Sequence, residues 1–269
     1  MKTKKMTPAS SLDKELNFTF PKSWAELTQK QLKAVLVFLS IYPATTALVR
    51  ITCYFANLVI LKKVGNGQFC CRLSTPSGVH TIVVSSVEVA AMTEALEWVL
   101  QPGDTPVLLE ELYGRRSVDV ELHGVDFETY IALENLYQGY LMSNDEKAVC
   151  EMANLIYSRP GVRYDWPDDS EDAVQSQIDS LKPFELFSIC QWFTQVKALF
   201  AKSFPNFFRP ASGSSECSMV DIMNAEILAL TGGDVTKEDE VLRKDTWRAL
   251  TYLDAKAKEA EEFRKSMNK

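Results

Sequence analysis

Seven of the fourteen phenylalanines in this 269-residue chain fall between positions 184 and 208: Phe184, Phe187, Phe193, Phe200, Phe204, Phe207 and Phe208, with Trp192 among them. Each such ring buries roughly 150–250 Å², so this stretch has to enter a core or meet a partner. Leu186, Ile189, Phe193, Val196, Phe200 and Phe204 recur every three or four residues, the spacing of one helical stripe. Phe187, Trp192 and Leu199 widen that stripe beyond what a surface helix needs, which predicts a helix covered on more than one side. Pro205 disfavours helix at Phe204 and ends the run. Phe204, Phe207 and Phe208, at and beyond this break, are the expected partner-binding side chains.

The rest of the chain reads as helices with one hairpin. Ser23 with Glu26, and Thr28 with Gln31, fit the reciprocal capping pattern ahead of the apolar face Leu32, Val35, Leu36 and Leu39. Pro43 resets the chain, and a second helix is expected from Ala44 to Leu61, before the Gly65-Asn66-Gly67 turn. Gln68–Ser74 and Val79–Ser85, joined by Thr75-Pro76-Ser77-Gly78, predict an antiparallel hairpin. Ser85 with Glu88 opens a third helix through Leu100, closed by Pro102-Gly103. The alternation from Ser117 to Leu122 predicts a strand. Helices follow from Phe127, capped by Asp126, and from Ser143 to about Ser158. Residues 159–181, with prolines and the acidic run 165–172, read as a linker or long acidic loop. Beyond the aromatic helix, 209–218 reads as a loop, 219–230 as a helix, and Asp234 or Thr236 as the cap of a last helical region with Trp247, Leu250 and Leu253 on its apolar face. The expected organisation is a helical domain with a hairpin over 18–158 and a helical carboxy-terminal part over 182–269. The fold class is α+β, mainly α-helical, with one small antiparallel β-hairpin.

A hydrophobic content of 46% and a charged content of 24% exclude global disorder. A net charge of −7 argues against nucleic acid as a partner, since phosphate neutralisation needs Lys and Arg clusters. From Glu94 to Glu128 nine carboxylates stand against only Arg115 and Arg116, which reads as a solvated face, the alternative being a surface that steers a basic partner. Ala34–Leu61 is the one stretch with the apolar length of a membrane span, but Pro43 splits it and Arg50 interrupts its second half, so two buried helices and no membrane are expected. Six scattered cysteines without a CxxC pair, and only two histidines, suggest neither a disulfide framework nor a zinc site. A reducing cytoplasm is the expected location.

Catalytic patterns are lacking in the same way. The acidic run at 165–172 lacks the glycine and the terminal glutamate of an EF-hand, and Thr231–Lys237 has the wrong glycine-to-lysine spacing for a P-loop. No cofactor is expected. An enzyme would have to use His80 or His123 with a cysteine, a pairing that no local motif carries.

Four stretches are familiar together: Phe20-Pro-Lys-Ser-Trp-Ala-Glu-Leu-Thr28; Phe127-Glu-Thr-Tyr-Ile131 with Tyr137-Gln-Gly-Tyr-Leu141; Lys197-Ala-Leu-Phe-Ala-Lys-Ser-Phe-Pro205; and Gly233-Asp-Val-Thr-Lys237 with Asp245-Thr-Trp-Arg-Ala-Leu250. They resemble a family encoded in tail-gene clusters of bacterial prophages and phage-like elements. The resemblance implies a role in building a tail, among tape-measure, tube and baseplate proteins, and it brings no catalytic residue with it. The expected function is a non-enzymatic assembly factor or adaptor, such as a tail assembly chaperone. The alternatives are a structural component of the tail particle and an enzyme of unknown chemistry.

Overall fold

The computed structural model describes residues 18–103, 105–158, 176–208, 228, 231, 234 and 237–267. Of the two expected capping boxes near the amino terminus, the second forms: Thr28 Oγ1 accepts the Gln31 amide (3.3 Å) while Gln31 Oε1 accepts the Thr28 amide (2.9 Å). It opens α1 (Gln29–Ile41). Ser23 makes no such bond, and only a 3-10 turn, Trp24–Glu26, follows it. After Pro43 comes α2 (Ala44–Phe55).

Here the structure corrects the expected helix to Leu61. Asn57 takes φ +51° and stops α2, and Leu58–Gly65 is a strand, β1. The reason is local. Val59 and Ile60 are β-branched and suit a pleated strand. Immediately beyond, Gly65, Asn66 and Gly67 all adopt positive φ (120°, 46° and 72°), a reversal that folds β2 (Gln68–Thr75) back onto β1. Gly78, at φ +133°, begins β3 (Gly78–Ser85). The anticipated hairpin is thus the second half of a three-stranded antiparallel meander in the order β1-β2-β3. On one face Cys71, Leu73 and Val84 are buried with Ala56 and Leu58, and Phe69, Ile82, Phe18, Phe20, Val89 and Met92 close around them. The Ser85–Glu88 capping box forms as expected (3.2 and 2.7 Å) and starts α3 (Ser86–Glu94), which stops short of Leu100; Glu97–Leu100 is a separate 3-10 turn.

A second small sheet replaces the strand expected over Ser117–Leu122. Tyr113 and Gly114 (φ 51° and 79°) turn β4 (Glu111–Leu112) into β5 (Arg115–Ser117). From Val118 the chain leaves the sheet: the Asp119 carboxylate accepts the amides of Glu121 and His123 (3.0 and 3.1 Å), and Leu122 takes φ +64°, a geometry no strand tolerates. The fold is therefore α+β and mainly helical, with two three-stranded sheets among the described residues rather than one hairpin.

The largest core lies among helices α4 (Phe127–Ser143), α5 (Glu146–Ile156), α6 (Pro183–Ser203) and α8 (Thr246–Met267), with a short α7 (Glu238–Leu242) before the last. The strand β6 (Tyr157–Ser158) leaves α5 to pair with β5. Trp192, Phe193, Val196 and Phe200 of α6 are fully enclosed there, beside Phe127, Tyr130 and Leu250, so the broad apolar circumference of the aromatic helix is covered as its spacing requires. Ile178 and Leu181, at the end of the expected linker, join this core, whereas 159–175, the 209–218 loop and the 219–230 helix apart from position 228 lie outside the described residues. A second cluster, built on Trp24, Val35, Leu36, Ile51 and Leu96, packs beneath α1, which also contacts α6.

The backbone over 101–103 and 105–125 is irregular outside β4 and β5, and buried or half-buried side chains from other elements bond to it. Trp24 Nε1 donates to Gln101 O (2.8 Å), Tyr157 Oη to Leu109 O (2.8 Å), Trp192 Nε1 to Val120 O (2.9 Å) and Trp247 Nε1 to Glu121 O (2.7 Å). Gln195, fully buried on α6, donates to Pro102 O and accepts the Val107 amide (2.9 Å). Gln29 does the same for Leu108 O and the Glu110 amide. Unpaired buried peptide groups are costly, so the aromatic N–H and O–H groups serve here as the ladder a strand would have supplied.

Candidate interaction surface

Phe204, Phe207 and Phe208 follow α6 in the structure, but not as one exposed patch. Phe204 is 5% exposed and its ring meets Phe200 and Trp247 at 5.8 and 5.3 Å, so it serves the core and offers no surface to a partner; that expectation is corrected by the tertiary packing of α8 over the end of α6. Phe207 and Phe208 are half-buried, edge to face at 4.9 Å, and pack against the same core. Asp254 holds their backbone: its carboxylate accepts the amides of Asn206 (2.7 Å) and Phe207 (3.0 Å) and the Asn206 side chain (2.9 Å). Partial burial raises the Asp254 pKa, but these hydrogen bonds outweigh it and hold the carboxyl below its ordinary range.

Apolar surface left in solvent is concentrated elsewhere, on the first sheet. Val79 and Val83 of β3 stand on the face opposite the core and are 66% and 56% exposed; along β1, Val59, Ile60, Leu61 and Val64 are also exposed. Beside β1 runs a groove of about 780 Å³, walled by Val49, Arg50, Cys53 and Tyr54 of α2, by Phe38 of α1 and by Leu58–Ile60. On that face the valines alternate with Thr81, Arg72 and Lys62, so the sheet and its flanking groove combine exposed aliphatic and basic side chains, a candidate interaction surface.

This region also differs in charge from the rest of the molecule. Between Leu27 and Val87 there is no Asp or Glu, while Lys30, Lys33, Arg50, Lys62, Lys63 and Arg72 carry six positive charges. With the chain at −7, the remainder carries −13. Arg50 lies with its guanidinium 4.1 Å over the Tyr42 ring, a cation–π contact that orders it at the groove. The signal was present in the sequence as an acid-free span, whose basic residues the structure distributes over α1, α2 and the first sheet.

Among the described residues no histidine is hydrogen-bonded to a cysteine. His80 Nε2 lies 3.5 Å from Ser77 Oγ, and His123 stacks on Trp247 at 4.7 Å with Glu121 3.4 Å away. Burial pushes the thiols of Cys53, Cys71, Cys150 and Cys190 up, Cys190 to about 11, which is the wrong direction for a thiolate nucleophile. Among the described residues, no group of His, Cys, Asp and Glu is placed to hold a metal ion, and no helix is long and apolar enough to cross a membrane. Compared with family models, curated proteins and solved structures, the chain matches none.

Proposed function

We propose that this chain is a non-enzymatic assembly factor or adaptor for a phage-type tail, holding a partner protein on its first sheet. The observation that carries the reading is the apolar surface of β1 and β3, left in solvent within the acid-free part of an otherwise acidic chain. A folded protein rarely leaves such surface uncovered unless something binds there. The resemblance of the four stretches above to tail-cluster proteins supplies the partner class: tape-measure, tube or baseplate proteins.

The test is co-expression of the tagged chain with those three classes of tail protein from one cluster. One of them should co-elute with the wild type, and Val79→Glu with Val83→Glu should weaken capture at least tenfold while the circular dichroism spectrum stays the same. Failure of all three classes to co-elute would overturn the tail reading. Finished tails purified from the same cells separate the two roles within it: an assembly factor is absent from them, and a structural component is retained.

A further inference from the structure

Among the described residues β1 pairs with β2 alone, so its other side is an open sheet edge. The phase of the ladder can be read from one bond. Ser74 donates its amide to Asn57 O (3.1 Å), and that pairing continues the register Leu58↔Leu73, Val59↔Arg72 and Ile60↔Cys71. Hydrogen-bonded and non-bonded pairs alternate in an antiparallel ladder. Val59 therefore exchanges bonds with β2, and the peptide groups of Leu58 and Ile60 point to the open side. The side chains of the same two residues line the groove against α2. A free backbone edge and an apolar slot thus lie together, the two parts of a strand-addition site in which main-chain bonds give affinity and alternate side chains fill pockets.

Charge decides the occupant. Arg50 stands in the groove wall and Lys62 and Lys63 follow on the edge strand, with no carboxylate in the surrounding span 27–87. A second copy pairing edge to edge would add its own Lys62 and Lys63 to the same basic strand, with no carboxylate in the span to answer them, and edge lysines discourage self-association. The chain's own residues 1–17 carry four lysines against Asp13 and Glu15, again the wrong sign. We infer that the open edge of β1 takes an extended segment of a partner protein in which apolar residues alternate with Asp or Glu, added as a fourth strand over the groove. This rests on the adaptor reading and specifies how the partner is held.

The experiment uses the full chain and two labelled ten-residue probes, one alternating Val with Glu and one alternating Val with Lys, read by fluorescence anisotropy and by hydrogen exchange at Leu58 and Ile60. Expected are saturable binding of the acidic probe, at least tenfold weaker binding of the basic one, and at least tenfold slowing of exchange at both amides by the acidic probe. Ile60→Pro removes one outward donor without touching the bonds to β2, and should abolish binding. If Ile60→Pro unfolds the sheet, Lys62→Glu with Lys63→Glu, both exposed, serves instead and should reverse the preference between the probes. No binding at millimolar probe, equal binding of both probes, or amides already protected without a probe would each overturn the inference, the last because a second copy or the chain itself then fills the edge. Binding to vesicles containing phosphatidylserine in place of the acidic probe would overturn it in favour of a lipid surface. Capture of a tail protein without protection of β1 defeats strand addition and leaves the adaptor; probe binding with no tail protein captured does the reverse.

Discussion

Trp192, at the centre of the aromatic helix, donates its indole N–H to the carbonyl of Val120, 72 residues earlier, at 2.9 Å. The ring is fully enclosed, so it fills the core with its body and closes a loop peptide with its edge. Trp192→Phe removes the donor and also part of the ring volume, which leaves a small cavity. A cost of about 1–3 kcal/mol is expected from the unpaired Val120 carbonyl, read as a lowered urea midpoint. An unchanged midpoint would mean that water replaces the indole.

The phenylalanines divide into two groups. Phe193→Ala, Phe200→Ala and Phe204→Ala should each cost about 3–5 kcal/mol, as buried rings do. Phe207→Ser with Phe208→Ser should cost less than half as much, since both rings are half-buried. If the proposed surface on the first sheet is the one used, this double variant should retain whatever capture of a tail protein the wild type shows. Loss of capture with the fold retained would return the site to the end of α6.

Lys197 pairs with Glu134 inside the helical layer; Gln138 donates to the same carboxylate oxygen (2.9 Å), and Oε2 is buried with no hydrogen-bond partner. Lys197→Met leaves a largely buried carboxylate uncompensated. Because the Lys197 side chain keeps 32% of its exposure, the loss should fall at the lower end for such pairs, about 2–3 kcal/mol. Adding Glu134→Leu should restore most of it. Equal destabilisation of the single and double variants would show that the alkyl packing of Lys197, not its charge, is what matters.

Asp254 supplies a pH dependence with a definite sign. Its folded pKa lies below the ordinary carboxylate value of about 3.9. The stability it contributes is present above that value and lost as pH falls through the lower folded one. Asp254→Asn should therefore be less stable than wild type at pH 7, by about 1 kcal/mol for the charged acceptor, and the gap should close under acid conditions. Thermal melts of both proteins from pH 7 to 2 would check this, and a gap that widened in acid would contradict it.

The helices were legible in the sequence because their signals are local. Thr28 with Gln31 and Ser85 with Glu88 cap as their spacing says, and the three- to four-residue recurrence from Leu186 to Phe204 lies buried as one helix. β1 was not legible. Leu58 to Leu61 continues the apolar composition of α2, and a continuous apolar run does not distinguish a buried helix from a strand; the change depends on Asn57 adopting a left-handed φ. The interaction surface was hidden for a different reason. Aromatic density marks core and interface alike, so Phe204 read as an exposed contact until α8 covered it. Which sheet edge stays open is a property of the whole chain.

The 101–125 segment is held from both directions in time as well as in space. A ribosome releases Trp24 and Gln29 before it, and Trp192, Gln195 and Trp247 long after it. Until those later residues emerge, the carbonyls of Pro102, Val120 and Glu121 lack their native donors, and α1 lacks its contact with α6. Such long-range closure slows folding and prolongs the life of a sticky nascent chain. Emergence of Trp247, rather than completion of the first helices, is then the event on which the native bonds of this segment wait.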